Sequence, residues 1–190
     1  MKKHLLLVLL VVIFKSTLSA QNYFNYPLKT GSITYTMSMM GADNTMILYF
    51  VDNGNKQCSD VRTEMFGMKI HNRNIIVGKK TYLLDMNQKT YTERELSEED
   101  LQKTGFYISD ERMTKEEINK IGEENLLGKN CQVYSLNEKG SEVKFWLWKG
   151  LMLKMETGSE GMSVNIIATD IKELAPDKAL FELPSDFSKK

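Results

Sequence analysis

The stretch VKFWLWKGLMLKMET, residues 143–157, decides the fold because it predicts a β-hairpin with two different faces. Large side chains alternate on both sides of Lys149-Gly150, a dipeptide suited to a tight turn. The alternation predicts one wholly apolar face, made of Val143, Phe145, Leu147, Leu151, Leu153 and Met155. Trp146 and Trp148, the two tryptophans of the chain, fall on the other face beside lysines. They are expected either to form a cluster at the solvent edge of the sheet or to contact a ligand.

The N-terminal part of the chain has the same strand rhythm. Residues 32–39 alternate hydroxylated and apolar side chains, and residues 45–51 are apolar on both faces. The Asn53-Gly54 dipeptide that follows suits a hairpin turn. Further β-prone segments lie near residues 59–65, 68–77, 81–86, 90–94, 131–136, 142–148, 151–157 and 162–171. This regular spacing predicts a meander of antiparallel strands.

Residues 97–125 interrupt the rhythm and predict two short helices. Ser97 lies three residues before Asp100, and Thr114 lies three residues before Glu117, which is the spacing of a capping box. The predicted fold is therefore α+β. It is a curved antiparallel sheet of about nine strands that forms an incomplete, half β-barrel, with short helices capping the concave face.

The N-terminus predicts export. Lys2 and Lys3 precede an apolar run, residues 5–14, that is too short to span a bilayer, and small residues precede Ala20. We therefore expect residues 1–20 to be a signal peptide and residues 21–190 to form one periplasmic or secreted domain. No later window is apolar enough for a membrane-spanning helix, so the domain is not expected to span a membrane.

Charge argues against nucleic-acid binding. The full chain has 25 basic and 25 acidic residues, and removal of residues 1–20 takes away three lysines and no acid, which leaves a formal charge of −3. A weakly acidic domain lacks the basic surface that binds a phosphate backbone. No nucleic-acid partner is expected.

Two cysteines, Cys58 and Cys131, remain in the expected exported domain. In an oxidising compartment they can form a disulfide, and they can equally be two small buried thiols. Their spacing does not distinguish these states, so both alternatives stay open.

The sequence has no pattern typical of an enzyme. His71 is the one histidine after residue 20, and the motifs of serine hydrolases, zinc sites and phosphate-binding loops are absent. His71 stands beside a turn-prone Asn72 and is expected to be a solvated surface residue. No catalytic residue, metal site or cofactor is expected.

Methionine is the compositional oddity, with eleven of the twelve methionines after residue 20. Flexible, polarisable thioethers suit surfaces that adapt to irregular apolar partners, and they also fill gaps in ordinary cores. Met37 and Met39 share one strand face, so a soft-metal site is a third alternative.

The last third of the chain carries a series of motifs. They are Gly128-x-x-Cys-x-x-Tyr134, Val143-x-Phe-Trp-Leu-Trp-Lys-Gly150, Gly161-x-x-Val-x-x-Ile167, Thr169-Asp-Ile171 and Leu180-Phe-Glu-Leu-Pro184. Together they resemble the LolA/LolB-like periplasmic lipoprotein-carrier superfamily, in particular its uncharacterised secreted branch in Bacteroidetes-type bacteria. The resemblance implies an incomplete antiparallel barrel whose concave apolar face is closed by helices and takes up acyl chains. The nearest candidate for that superfamily's functional arginine on an early strand is Arg62.

We expect a non-enzymatic protein that binds a lipid, an acylated protein or another hydrophobic ligand. The expected wall residues, chosen by the phase of the strand alternation, are Ile33, Tyr35, Met37, Met39, Phe145, Leu147, Leu153, Met155, Val164 and Ile166. The alternative is an envelope protein-interaction module whose barrel is filled by its own side chains, leaving a surface such as the tryptophan face for a protein partner.

Overall fold

The strand rhythm of the sequence produces a single sheet. The computed structural model describes residues 22–39, 42–65, 67–138, 140–159 and 162–190. In these residues the strands are β1 Gly31–Met39, β2 Ala42–Val51, β3 Lys56–Met65, β4 Met68–Val77, β5 Lys80–Asp85, β6 Thr90–Glu95, β7 Asn119–Leu126, β8 Lys129–Glu138, β9 Ser141–Trp148, β10 Leu151–Ser159, β11 Met162–Lys172 and β12 Ser188–Lys189.

The order of the strands makes the sheet open and curved. It runs β12-β6-β5-β4-β3-β2-β1-β11-β10-β9-β8-β7, so β1 pairs with β2 on one side and with β11 on the other. Neighbours are antiparallel except β12, which runs parallel to β6. The predicted meander is confirmed, and the pairing of β1 with β11 joins its two halves.

Two short helices separate the two halves, as the sequence predicts. The first, α1, spans Glu98–Lys103 and begins with the predicted capping box. The Ser97 hydroxyl accepts a hydrogen bond from the Asp100 backbone N–H at 3.0 Å, and the Asp100 carboxylate accepts one from the Ser97 N–H at 3.2 Å.

The second predicted capping box is wrong. The second helix, α2, spans Asp110–Lys115 and is capped by Ser109, whereas Thr114 lies inside it and donates its hydroxyl proton to the Asp110 carbonyl at 3.0 Å. The segment after α2 is not helical but forms the edge strand β7, which pairs with β8. The fold is therefore predominantly β, and the predicted α+β class holds only in the sense that short helices accompany a large sheet.

A register shift corrects the predicted phase of β10. Met152 lies opposite Leu147 and Met155 opposite Phe145, but between them Lys154 lies opposite Trp146, so one residue is inserted as a bulge. Leu151 therefore lies opposite Trp148, whereas Met155 lies opposite Phe145, on the predicted face.

The turn before β10 has the predicted backbone. Lys149 and Gly150 have φ values of 50° and 84°, the left-handed pair that a tight hairpin turn needs. A Cβ atom on Gly150 would lie 2.6 Å from the Tyr107 ring.

The two faces of the sheet are covered by different segments. We call the face that carries Ile33, Tyr35, Leu48 and Phe50 the inner face. Its main core cluster contains Phe24 and Tyr26 from the N-terminal segment and Leu101 from α1, and a second cluster contains Phe145, Leu147, Met152, Ile108 and Ile118. On the outer face, Cys58, Ile75 and Leu84 form a third cluster, against which Leu180, Phe181 and Phe187 of the C-terminal segment pack.

The cysteines are two buried thiols. Cys58 belongs to the outer-face cluster and Cys131 to the main cluster, and both are free. In the structure the two thiols lie in different clusters and are not bonded to each other. Burial raises the pKa of the Cys58 thiol to about 12 and also raises the pKa of the Cys131 thiol.

The predicted signal peptide, residues 1–20, lies outside the described residues. Within the described part of the chain, no helix has both the length and the apolar character needed to cross a membrane.

Candidate functional site

Register places five side chains in one row across five neighbouring strands. Phe145 lies opposite Met155, Met155 opposite Ile166, Ile166 opposite Met37, and Met37 opposite Asn44. Residues opposite each other in a ladder point to the same face, so these five side chains share the inner face. We call them the inner row. Four of the five are apolar, and two of those are methionines.

The inner row is buried at its ends and half-buried in its middle. Phe145 is 6% exposed and Asn44 is 8% exposed, whereas Met155, Ile166 and Met37 are of intermediate exposure. Met37 and Ile166 pack against the main core cluster, and Phe145 and Met155 belong with the second cluster. The row therefore bridges two cores while keeping apolar surface within reach of solvent.

Deeper in the inner face, the space beside the sheet is filled by aromatic side chains. The fully buried Tyr35 ring stacks on Phe106 with centroids 4.6 Å apart, and its hydroxyl donates to the Met152 carbonyl at 2.9 Å. Burial raises the pKa of Tyr35 well above its ordinary value. This side chain is a neutral part of the core.

The N-terminal segment fills the neighbouring space. The Tyr26 ring meets Phe50 edge-on with centroids 5.0 Å apart and lies 6.0 Å from the Tyr107 ring. Its hydroxyl donates to Gln57 Oε1 at 2.8 Å. This part of the predicted barrel interior is occupied by the protein itself.

Pockets remain at the margins of the inner face. One of about 530 Å³ adjoins the inner row at Phe145 and is lined also by Lys103, Arg112, Glu116, Leu136 and Asn137. Its charged side chains are paired, Lys103 with Glu99 at 2.7 Å and Arg112 with Glu116 at 3.0 Å. The lining of this pocket is therefore mostly polar, and the apolar surface lies in the inner row beside it.

The structure divides the ten expected wall residues. Ile33, Tyr35, Leu147 and Leu153 are fully or almost fully buried in the core. Met37, Phe145, Met155 and Ile166 come together in the inner row, and the half-buried Val164 lies beside them, opposite Thr157. Met39 pairs with Val164 through its backbone, but its side chain lies outside the described residues.

The tryptophan face differs from the expected solvent-edge cluster. Trp146 is only 6% exposed and belongs to the main core cluster. Its indole N–H donates to Glu124 at 2.6 Å, and the Lys154 ammonium lies 4.0 Å from its ring centroid. Trp148 is half-buried under Lys129, whose ammonium is 4.5 Å from the ring centroid. Neighbouring charged side chains thus cover both rings, which leaves little aromatic surface for a ligand.

A charged cluster on the outer face was not predicted. The Asp60 carboxylate, 5% exposed, accepts hydrogen bonds from Arg73 at 2.8 and 3.1 Å and lies 2.9 Å from His71 Nε2 and 3.3 Å from Arg62 Nε. Burial alone would raise its pKa, but the bonds to His71 and Arg73 outweigh burial and lower the pKa of Asp60. His71 lies within the predicted strand β4, but it is not the solvated surface residue that was expected, because its side chain is only 26% exposed and its Nε2 is bound to Asp60.

The register of the β3–β4 hairpin is the feature from which this cluster could have been predicted. Met65 pairs with Met68 across a two-residue connection, so the same ladder sets Asp60 opposite Arg73 and Arg62 opposite His71. Arg62, named above as a candidate from the family resemblance, thus lies on the outer face, and its side chain is 73% exposed. In the described residues, no three His, Cys, Asp or Glu side chains are placed to hold a metal ion.

The solved structures that are similar in fold include three described next. An uncharacterized conserved protein from Thermus thermophilus matches at 11% identity with a TM-score of 0.58, covering 85% of this chain and 90% of that one. A chain of the MucA/MucB complex of Pseudomonas aeruginosa matches at 14% identity and 0.53, covering 83% and 56%. PNGF-II matches at 17% identity and 0.50, covering 85% and 31%. At these identities the likeness concerns the fold alone.

Sequence comparison gives a family but no curated relative. A family model described as a domain of unknown function, DUF4412, matches residues 30–157. No curated protein matches the chain.

Proposed function

The chain belongs to the DUF4412 family, and we propose that it is an exported, non-enzymatic protein that binds a lipid or another hydrophobic ligand along the inner row. The observation that carries this proposal is the continuous line of half-buried apolar side chains at Met155, Ile166 and Met37. Membership of the LolA/LolB-like superfamily, and its secreted Bacteroidetes-type branch, is part of the same proposal.

Burial of ligand surface supplies the driving force. Each square ångström of apolar surface removed from water stabilises the complex by about 25 cal/mol. Methionine side chains suit this role because they repack around irregular chains at little cost. The ligand lies along the inner row and not in the interior, because Tyr35, Phe106 and Tyr26 already fill that space.

A substitution at Met155 tests the site directly. A carboxylate placed in the middle of the inner row would have to be desolvated by a bound acyl chain. We expect Met155→Glu to weaken binding of a fluorescent fatty-acid probe by about tenfold or more. Met68→Glu is the matched control, because Met68 is 60% exposed on β4 and lies outside the row.

Ligand recovered with the protein provides a second measurement. Native mass spectrometry and solvent extraction of the purified protein should release a lipid from the wild type and less of it from Met155→Glu. Failure of both the extraction and the probe to detect binding would contradict the proposal.

The second candidate function is an envelope protein-interaction module without a small-molecule ligand. The aromatic filling of the interior favours it, and so do Met68, Ile70 and Leu83, large apolar side chains that are 60%, 40% and 55% exposed. The MucA/MucB structure is a complex of two proteins, and one of its chains is similar in fold to this protein. Crosslinking in envelope extracts would test this candidate, because Leu83→Glu should abolish a specific crosslinked partner that Met155→Glu retains.

A further inference from the structure

One member of the inner row is polar and lacks a partner. Asn44 is 8% exposed, and its side-chain oxygen Oδ1 has no hydrogen-bond partner in the described structure. Buried polar atoms are almost always paired, so an exception needs an explanation. On the inner face Met37 lies opposite Asn44 in the ladder and Met46 lies two residues along β2, and neither side chain carries a hydrogen-bond donor.

The position of Asn44 in the row points to the missing donor. Asn44 ends a line that begins at Phe145 and crosses β9, β10, β11, β1 and β2. At about 4.8 Å between neighbouring strands the line is about 19 Å long, which is the scale of an extended acyl chain. An acyl chain along the row would bring its own substituents to the Asn44 oxygen.

We propose that the ligand is an acyl chain that carries a hydrogen-bond donor, a hydroxyl group or an amide N–H, and that Asn44 Oδ1 accepts this bond. The inference rests on the proposed function, because it names the class of ligand that the inner row takes. An unsubstituted chain buries the same apolar surface but leaves the Asn44 oxygen unpaired. A chain whose donor group lies next to Asn44 gives this oxygen its hydrogen bond.

Matched fatty acids test the inference. Stearic acid is compared with hydroxystearic acids, whose hydroxyl lies near either end or in the middle of the chain, and with N-stearoylglycine, which supplies an amide N–H. Displacement of a fluorescent fatty-acid probe measures each affinity. We expect at least one donor-bearing chain to bind about tenfold more tightly than stearic acid, and its identity separates hydroxyl from amide recognition.

Variants assign the preference to Asn44. In Asn44→Leu, an apolar replacement of similar size, the preference should disappear while stearic acid still binds. Asn44→Ala, which adds no bulk, should behave in the same way, and thermal unfolding shows that each variant is folded. Met68→Leu is the control, because Met68 is 60% exposed on β4 and lies outside the row, so this variant should keep the preference.

The outcomes separate this inference from the proposed function. If neither the probe nor stearic acid binds the wild type, the proposed function fails and the inference falls with it. If stearic acid binds but every donor-bearing chain binds equally well, or if Asn44→Leu and Asn44→Ala keep the preference, the inference alone is overturned.

Discussion

At the scale of single residues, Asp60 shows how one buried charge fixes its neighbours. Its carboxylate holds the Arg73 guanidinium, 16% exposed, and the His71 ring on the outer face of β3 and β4. A charge at this depth is tolerated because its oxygens are satisfied by partners on the adjacent strand.

Removal of the Asp60 charge should destabilise the protein. Asp60→Asn keeps the size of the side chain but leaves the Arg73 guanidinium without its carboxylate, and we expect a loss of about 3 kcal/mol in the free energy of unfolding. Urea unfolding followed by circular dichroism measures the change. Arg62→Gln is the control, because this side chain is 73% exposed and its ion pair should contribute less than about 1 kcal/mol. Equal losses in the two variants would contradict the prediction.

The same residue predicts how stability responds to acid. The pKa of Asp60 is lower in the folded protein than its ordinary value of 3.8, so its contribution to stability is fully present above that value and is lost as the pH falls through the lower, folded pKa. The unfolded chain binds the proton first, and protonation therefore favours unfolding. Wild type should lose stability more steeply than Asp60→Asn when urea unfolding is compared between about pH 5 and about pH 3. Parallel pH profiles would show that Asp60 is not the group responsible.

The Asp60 cluster also shows what local sequence patterns leave out. Asp60 and Arg73 are thirteen residues apart, and neither belongs to a recognised motif. Only the register of the β3–β4 hairpin brings them together. For the inner row, alternation within each strand predicts the correct phase of Met37, Phe145 and Ile166, but Asn44 enters through the pairing of β1 with β2 and was not predicted.

At the scale of elements, turns are the features that the sequence predicts best. Lys149-Gly150 has the left-handed backbone that its composition indicates. Leu127-Gly128, the turn that joins β7 to β8, has the same backbone but was not predicted. Strand β7 was nevertheless expected to be helical, because Thr114 and Glu117 have the spacing of a capping box. The bulge in β10 could not be predicted, because the alternation of the residues that precede it is regular.

The two turns provide a matched pair of glycine substitutions. Gly150 and Gly128 have φ values of 84° and 74°, so alanine is strained at both, by about 1 kcal/mol. At Gly150 the new methyl group would also lie 2.6 Å from the Tyr107 ring, whereas at Gly128 nothing lies within 4 Å. Gly150→Ala should therefore lose at least about 2 kcal/mol more than Gly128→Ala in urea unfolding, because the ring or the hairpin has to shift. Equal losses would mean that Tyr107 moves aside freely.

At the scale of the whole molecule, the sequence predicts the sheet better than what covers it. Alternation identifies the strands because one face of a strand is buried and the other is more exposed, so the pattern is visible within the strand's own sequence. Coverage is not local: residues Phe24 and Tyr26 fill the inner face, and Leu180 and Phe181 pack on the outer face of distant strands. The strand rhythm thus indicated the sheet, while the occupied interior depends on contacts that no short motif records.

Two cysteines in separate core clusters report on the integrity of the whole fold. Cys58 and Cys131 are both fully buried, and burial raises the pKa of each thiol. A thiol reacts as its thiolate, so an alkylating reagent should modify neither residue in the native protein and both residues once it unfolds. Labelling across a urea gradient, read by mass spectrometry, should therefore follow the unfolding curve at both positions, and a reductant should not change the midpoint. A native mass lower by two hydrogens, with a midpoint that falls on reduction, would instead show a disulfide.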